Sequence, residues 1–354
     1  MCGVMGIAWF VKTESTTRQI ASRRAIAAWL FVVAGLIAAM VIVGGLTRLT
    51  DSGLSITEWQ PIMGIVPPLS EAAWQDAFAK YRQIPQYEHV NKGMSLAAFQ
   101  RIFWWEWTHR FLGRLVGFAF LVPFLALLAA GQIPRALLPR LVSIFALGGL
   151  QGFVGWYMVR SGLAGRIDVS QYRLAVHLGL AILILGALLW VALSLGGERA
   201  RPAAGERRAA VITGLLFVQV LLGALVAGLK AGMAYNTWPL MDGRLVPDGL
   251  GIMQPWYLNL FENALTVQFN HRLMAYVLLL AVAWHVWAVL QAEVDARIRG
   301  TAVALAAGML LQAALGIWTL LAQVPLSLGL AHQAGAAALF AIAVWHLYAM
   351  RHAP

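Results

Sequence analysis

Apolar residues fall along this chain in long unbroken blocks separated by polar runs, not in the alternating pattern of a half-buried strand. Eight blocks stand out, with approximate limits 26–46, 109–130, 138–159, 174–195, 209–229, 268–290, 300–321 and 328–350. Each has about the 20 residues an α-helix needs to cross ~30 Å of hydrocarbon. The pattern predicts an all-α integral membrane protein with eight transmembrane helices. Between the first two blocks lies a long polar stretch, Thr47 to Thr108, broken by Pro61, Pro67, Pro68 and Pro85. It predicts a large outer loop with short amphipathic pieces such as Glu71 to Tyr81. Shorter polar stretches run from Arg160 to Arg173 and from Lys230 to Val267.

The two halves of the chain echo each other. Thr108-His109-Arg110 opens the second block and Asn270-His271-Arg272 the sixth; His177 opens the fourth and His332 the eighth. Trp59 to Gly64, after the first block, is echoed by Trp238 to Gly243, and Leu150 to Trp156 by Leu311 to Trp318. Two tandem-repeated four-helix bundles are expected, since an even number of spans per unit leaves both units in the same orientation. The divisions are a tail at 1–25, an N-terminal unit at 26–195 with its outer loop at 47–108, a linker at 196–208 and a C-terminal unit at 209–350.

Composition removes whole classes of function. Of 354 residues 60% are hydrophobic and only 12% charged, which excludes a water-soluble domain. The net charge of +11 would suggest nucleic acid in a soluble protein, but here basic residues set topology and meet anionic lipid headgroups or ligands. No nucleic-acid role follows. The single cysteine, Cys2, allows no intrachain disulfide, no cysteine zinc site and no iron–sulfur cluster, so any metal is held by nitrogen or oxygen. Met1 to Val11 is too short to span and is followed by charges without a cleavage pattern, which reads as a retained tail. Lys and Arg divide evenly between the two faces. The basic tail and the short Arg199, Arg201, Arg207, Arg208 loop nevertheless place both termini in the cytoplasm, because long loops translocate regardless of charge.

Charged and titratable residues at the edge of apolar helices then become the candidate chemistry. Each half has a histidine near the outer end of its second and fourth helix: His109 with His177, and His271 with His332. Two histidines on facing helices can clamp a haem iron from both sides, and Arg48, Arg110, Arg114 and Arg272 are available for propionate carboxylates. Gly113, Gly117, Gly179 and Gly335 would let a macrocycle or a neighbouring backbone come close. The halves differ at one position: Glu106 precedes His109 by three residues, whereas Gln268 precedes His271. Glu106 would serve as a general acid or base, or stabilise positive charge during oxidation of a substrate; alternatively it pairs with Arg110 or Arg101. His285 and His346 each follow a candidate ligand by 14 residues, ~21 Å along one helix face, a spacing suited to a further stacked haem. His89 and His352 fall in the loop and the tail.

Glu106-x-x-His109-Arg110, the run Gly44 to Ser55, Trp59 to Gly64, and histidines at 177, 271 and 332 together resemble the haem A synthase family over essentially all eight spans. The resemblance is to its alphaproteobacterial and mitochondrial-type branch; members with a cysteine pair in an outer loop differ from this chain. It implies an oxidoreductase of the inner cell membrane that converts the C8 methyl of haem O to the formyl group of haem A, by two hydroxylations and a dehydration. It also implies a resident haem b on His271 and His332, with Arg272 beside it. The substrate haem would sit on His109 and His177, with Glu106 catalytic and Arg48, Arg110 and Arg114 binding substrate. Haem O synthase, cytochrome oxidase assembly factors and an electron acceptor or donor are the implied partners. A transmembrane cytochrome b that only conducts electrons, or a haem transporter or chaperone, would share the histidines but not the acid.

Overall fold

The computed structural model describes residues 4–60, 63–196 and 201–353, with side chains from residue 21 onward. Residues 1–3 of the expected tail, the side chains of Lys12 and Arg18, Pro61 and Ile62 of the Trp59 to Gly64 run, and 197–200 of the expected linker, Arg199 included, lie outside the described residues. All described regular structure is helical. Eight helices among the described residues are long and apolar enough to cross a membrane, and they coincide with the eight apolar blocks. They are α1 (Val4–Leu49), α4 (Leu96–Ala129), α5 (Leu138–Arg160), α6 (Gln171–Ser194), α7 (Glu206–Gly228), α8 (Ala264–Gln291), α9 (Ala296–Leu321) and α10 (Leu326–Arg351). Two short outer helices, α2 (Glu71–Tyr81) and α3 (Pro85–His89), lie between α1 and α4. The protein is a multi-pass membrane protein.

Two bounds differ from the sequence expectation. Helix α1 runs through the expected tail, and Ala21–Leu49 within it has spanning character. Helix α4 begins at Leu96, well before the expected 109, because Ser95 caps it by accepting from the Ala98 amide (3.2 Å). Its 34 residues extend ~51 Å, more than the hydrocarbon requires, so its first turns stand outside the membrane. There Phe99 and Phe103 close an outer apolar cluster with Leu54, Phe78, Tyr81, Ile84 and Val169. Burial pushes the Tyr81 phenol above its ordinary pKa, consistent with a dry cluster. Lower in α4, Pro123 has no amide for the Ala119 carbonyl, and the Trp29 indole of α1 donates to that oxygen instead (2.8 Å).

Helices α1, α6, α7 and α10, the first and fourth of each half, pack around one another, while α4 lies on α1, α5 on α6, α8 on α7 and α9 on α10. Ile26, Leu30, Val33, Ile37 and Val41 recur on α1 at helical spacing and meet Ile182, Leu185 and Leu188 of α6, Ile212 and Leu216 of α7, and Phe340 and Val344 of α10 in one continuous core. The halves therefore share their interior. At the outer end, Arg48 of α1 and Lys230 after α7 both pair with Asp51 and Asp168, at 3.2–3.5 Å. The Gln333 amide of α10 donates to the Val41 carbonyl of α1 (2.6 Å).

The tightest crossing joins α6 to α7. A Cβ on Gly228 would lie 2.7 Å from the Gln171 Cα, a backbone atom that cannot swing aside, whereas one on Gly148 of α5 meets open space. Gly228→Leu is expected to cost about 1–3 kcal/mol or more through overpacking, and Gly148→Leu to cost little. Thermal unfolding of both variants in detergent checks the difference; equal melting temperatures would contradict the packing described.

Candidate functional site

The chemistry gathers at the ends of the spanning helices on the side of the Thr47 to Thr108 stretch. His109 stands on α4, His177 on α6, His271 on α8 and His332 on α10, all partly buried. Each ring leans on the preceding spanning helix at a point where that helix carries glycine. A Cβ on Gly44 would lie 3.0 Å from the His109 Cε1, on Gly155 3.0 Å from that of His177, on Gly223 3.2 Å from that of His271, and on Gly316 2.8 Å from that of His332. Real Cβ atoms essentially never come as close as the Gly316 distance, and the other three are tighter than nine in ten real Cβ contacts. The glycines leave the space that the imidazoles fill. Gly113 instead accommodates the Met40 side chain, Gly179 lies against Leu221, Gly335 against Gln312, and Gly117 has no neighbour at Cβ distance.

Three of the four rings are also held by an amide. Gln151 donates to the His177 carbonyl (3.1 Å), Gln219 to that of His271 (3.1 Å) and Gln312 to that of His332 (2.8 Å). In each case the same amide nitrogen lies 3.1–3.4 Å from a ring nitrogen. These glutamines and the four glycines were not singled out by the sequence reasoning for any role. A glutamine four residues before a glycine on three outgoing helices was the available signal.

The His271 and His332 ring centroids are 6.5 Å apart with planes at 80°. Metal–nitrogen bonds of about 2 Å on either side of one ion put two imidazole centroids roughly 6 Å apart, so this pair is spaced to share an ion between them. Among the described residues no group of three or more His, Cys, Asp or Glu could hold a metal ion. Two facing imidazoles then suit an ion that brings its other ligands with it, as in a tetrapyrrole. His109 and His177 stand within electrostatic range of each other in the first half. The third pair is different. His285 and His346 hydrogen-bond directly, Nε2 to Nε2 at 2.8 Å, with Thr301 Oγ1 2.9 Å from the His346 Nδ1. Their centroids are 5.1 Å apart, which leaves no room for a haem iron between the rings in this arrangement.

Glu106 is 2% exposed and fully engaged. One carboxylate oxygen accepts from Ser55 Oγ and the Ile56 amide (2.8 Å each), and the other accepts from Arg110 Nη2 (2.6 Å) and Nε (3.1 Å). Of the two basic partners considered from sequence, Arg110 is the one it meets. Arg110 also donates to the carbonyls of Ile56 (2.7 Å) and Glu58 (2.9 Å), so the pair fastens the loop after α1 onto α4. The second half repeats the device without the charge. Arg272 donates to Gln268 Oε1 (3.1 Å) and to the carbonyls of Tyr235 (2.7 Å) and Thr237 (2.8 Å). Residues 56 and 235, and 58 and 237, are both 179 positions apart. Arg114 donates to the Gln60 carbonyl (2.9 Å), and Arg48 is bound into the Asp51 and Asp168 network.

Known proteins share this chain at nearly full length. A family model described as cytochrome oxidase assembly protein matches residues 27–344. A haem A synthase of Parvibaculum lavamentivorans is 56% identical over 335 residues, 93% of this chain and 95% of the relative. Haem A synthases of a Chelativorans species (55% over 327 residues, 92% and 91% of the two chains) and of Azorhizobium caulinodans (54% over 330 residues, 92% and 94%) are similar to it throughout.

The two arginine devices predict unequal costs. Arg110→Ala strands a carboxylate whose side chain is 3% exposed and should destabilise the protein by about 3–5 kcal/mol. Arg272→Ala leaves only the neutral Gln268 behind and should cost about 1–3 kcal/mol. Unfolding of both variants in detergent checks the ranking, and a larger loss for Arg272→Ala would contradict it.

Proposed function

The chain belongs to the cytochrome oxidase assembly protein family, and on that premise we propose that it is the enzyme that makes haem A from haem O. It oxidises the C8 methyl of haem O through two successive hydroxylations, and the hydrated product loses water to leave the formyl group. The feature that supports this reading is a pair of histidines in each half, with a buried carboxylate three residues before the first of them in one half and a glutamine at the matching position in the other. Haem O, the substrate, takes the first half, with its iron facing His109 and His177. His271 and His332 would hold a resident haem b, which when bound supplies one-electron transfer to and from the substrate side.

The chain's own residues divide the remaining work. Glu106 lies about one helical turn from His109, held as a carboxylate by a guanidinium, a hydroxyl and a backbone amide. Four donors already fill its oxygens, which supports stabilisation of developing positive charge over proton abstraction. Arg114 and Arg272 bring positive charge to the outer end for haem propionates, while Arg48, already paired with Asp51 and Asp168, and Arg110, paired with Glu106, would share theirs; Arg110 and Arg272 also keep the loops closed over the helix ends. The outer face is then periplasmic and both termini are cytoplasmic, in the inner membrane. Haem O synthase, oxidase assembly factors and an electron acceptor or donor are the partners such a reaction requires. The separation of the two halves into a substrate unit and a haem b unit rests on the same carboxylate asymmetry.

Glu106→Gln is the direct test: its Oε1 can keep the Arg110 contact as Gln268 does for Arg272, and its nitrogen can donate to Ser55 Oγ while the Ile56 amide loses its acceptor. The variant should fold, keep its haem b absorbance and form haem A about 100-fold more slowly or worse. Undiminished haem A would remove Glu106 from the reaction. His271→Ala should abolish the low-spin haem b signal, and its persistence would overturn the assignment of that ligand.

A further inference from the structure

The glutamine clamps are distributed unevenly, and the unevenness tracks the proposed division of labour. In each of four helix pairs, a glycine on the outgoing helix faces a histidine on the returning one. The residue four before that glycine is Gln151, Gln219 or Gln312 in three pairs, and each of these amides bonds its histidine. In the fourth pair, Gly44 with His109, the corresponding residue is Met40. A thioether donates nothing and accepts weakly. Its methyl turns toward α4, where a Cβ on Gly113 would come within 3.1 Å of the Met40 Cε. The ring environments are otherwise alike, with Gly44 and Gly223 nearly equidistant from their imidazoles.

The same amides also reach the rings, though not at one common atom. The nitrogens of Gln151 and Gln219 lie at the Nε2 of His177 and His271, that of Gln312 lies at the Nδ1 of His332, and all three Oε1 atoms are buried without a partner. No amide stands at the His109 ring; its Nδ1 is buried without a partner, as are those of His177 and His271. The second half thus has two clamped ligands and the first half has one.

We propose that Gln151, Gln219 and Gln312 are positioning residues that lock three of the four iron-facing imidazoles, and that Met40 leaves His109 as the releasable ligand. This rests on the haem assignment above and deepens it. A resident haem has to stay, and both its ligands are clamped. A substrate haem has to enter and its product has to leave, and one of its ligands is free to let go. Clamp number, not ligand identity, then sets which macrocycle exchanges.

The test uses the full-length protein in detergent, loaded with haem B and haem O, with each pigment's transfer to excess apomyoglobin followed separately. Gln219→Met should speed haem B loss by about 10–100-fold. Met40→Gln should slow haem O loss by a similar factor, a gain that a merely structural residue would not give and that needs no loss of fold. Unchanged haem B loss in Gln219→Met overturns the role of the glutamines. Unchanged haem O loss in Met40→Gln overturns that of Met40, even where Gln219→Met proves too unstable to isolate. Should the rates shift as stated while haem O is never oxidised, the positioning roles stand and the proposed enzyme activity fails; the reverse pattern fails the positioning roles alone.

Discussion

Four missing side chains govern this structure. Each of Gly44, Gly155, Gly223 and Gly316 offers an imidazole the volume that any Cβ would take, at approaches of 2.8–3.2 Å. In a membrane interior a partly buried histidine that could not nest against its neighbour would have to turn toward lipid, where its ring nitrogens would find no partner. The glycines remove that alternative, and the helix pairs α1 with α4, α5 with α6, α7 with α8 and α9 with α10 keep the rings at the outer level. The shared core of α1, α6, α7 and α10 then fixes the pairs relative to one another. The 6.5 Å between His271 and His332 follows from helix packing.

On this common frame the halves have diverged in two places that point the same way. Gln268 is replaced by Glu106, which brings a negative charge to a site where Arg110 already compensates it. Gln219 is replaced by Met40, which withdraws an amide from His109. Both changes fall on the α1 and α4 pair, so the half with the acid is also the half with the unlocked ligand. The loop contacts of Arg110 and Arg272 are conserved between the halves in geometry, with the same two carbonyl positions accepting in each. The loop contacts are common to both halves; the carboxylate and the missing amide are not.

Much of this was legible in the sequence because membrane helices advertise themselves. Long apolar blocks gave all eight spans, and the Glu71 to Tyr81 helix has the bounds its amphipathic pattern implied. Histidines and Glu106 stood out because a polar residue in an apolar helix is costly. What escaped was carried by residues with no such contrast. Glycine and glutamine are common in these helices, and a Gln-x-x-x-Gly spacing gains meaning only when a histidine is found opposite it. The early start of α4 was hidden because Leu96 to Thr108 is aromatic and charged, a composition that reads as loop until the outer cluster around Phe99 and Phe103 is seen to need it. The 14-residue spacing of His285 and His346 would also have suited a further haem, but spacing along two helices says nothing of the distance between them, and the rings meet directly.

Electron paramagnetic resonance of the oxidised, purified protein bears most directly on the pocket between His271 and His332. Two imidazoles whose planes cross at 80° should give the resident haem a strongly anisotropic low-spin signal, lost on replacing either His271 or His332. A high-spin ferric signal, or a rhombic low-spin signal of the kind that parallel rings produce, would contradict the pocket described here.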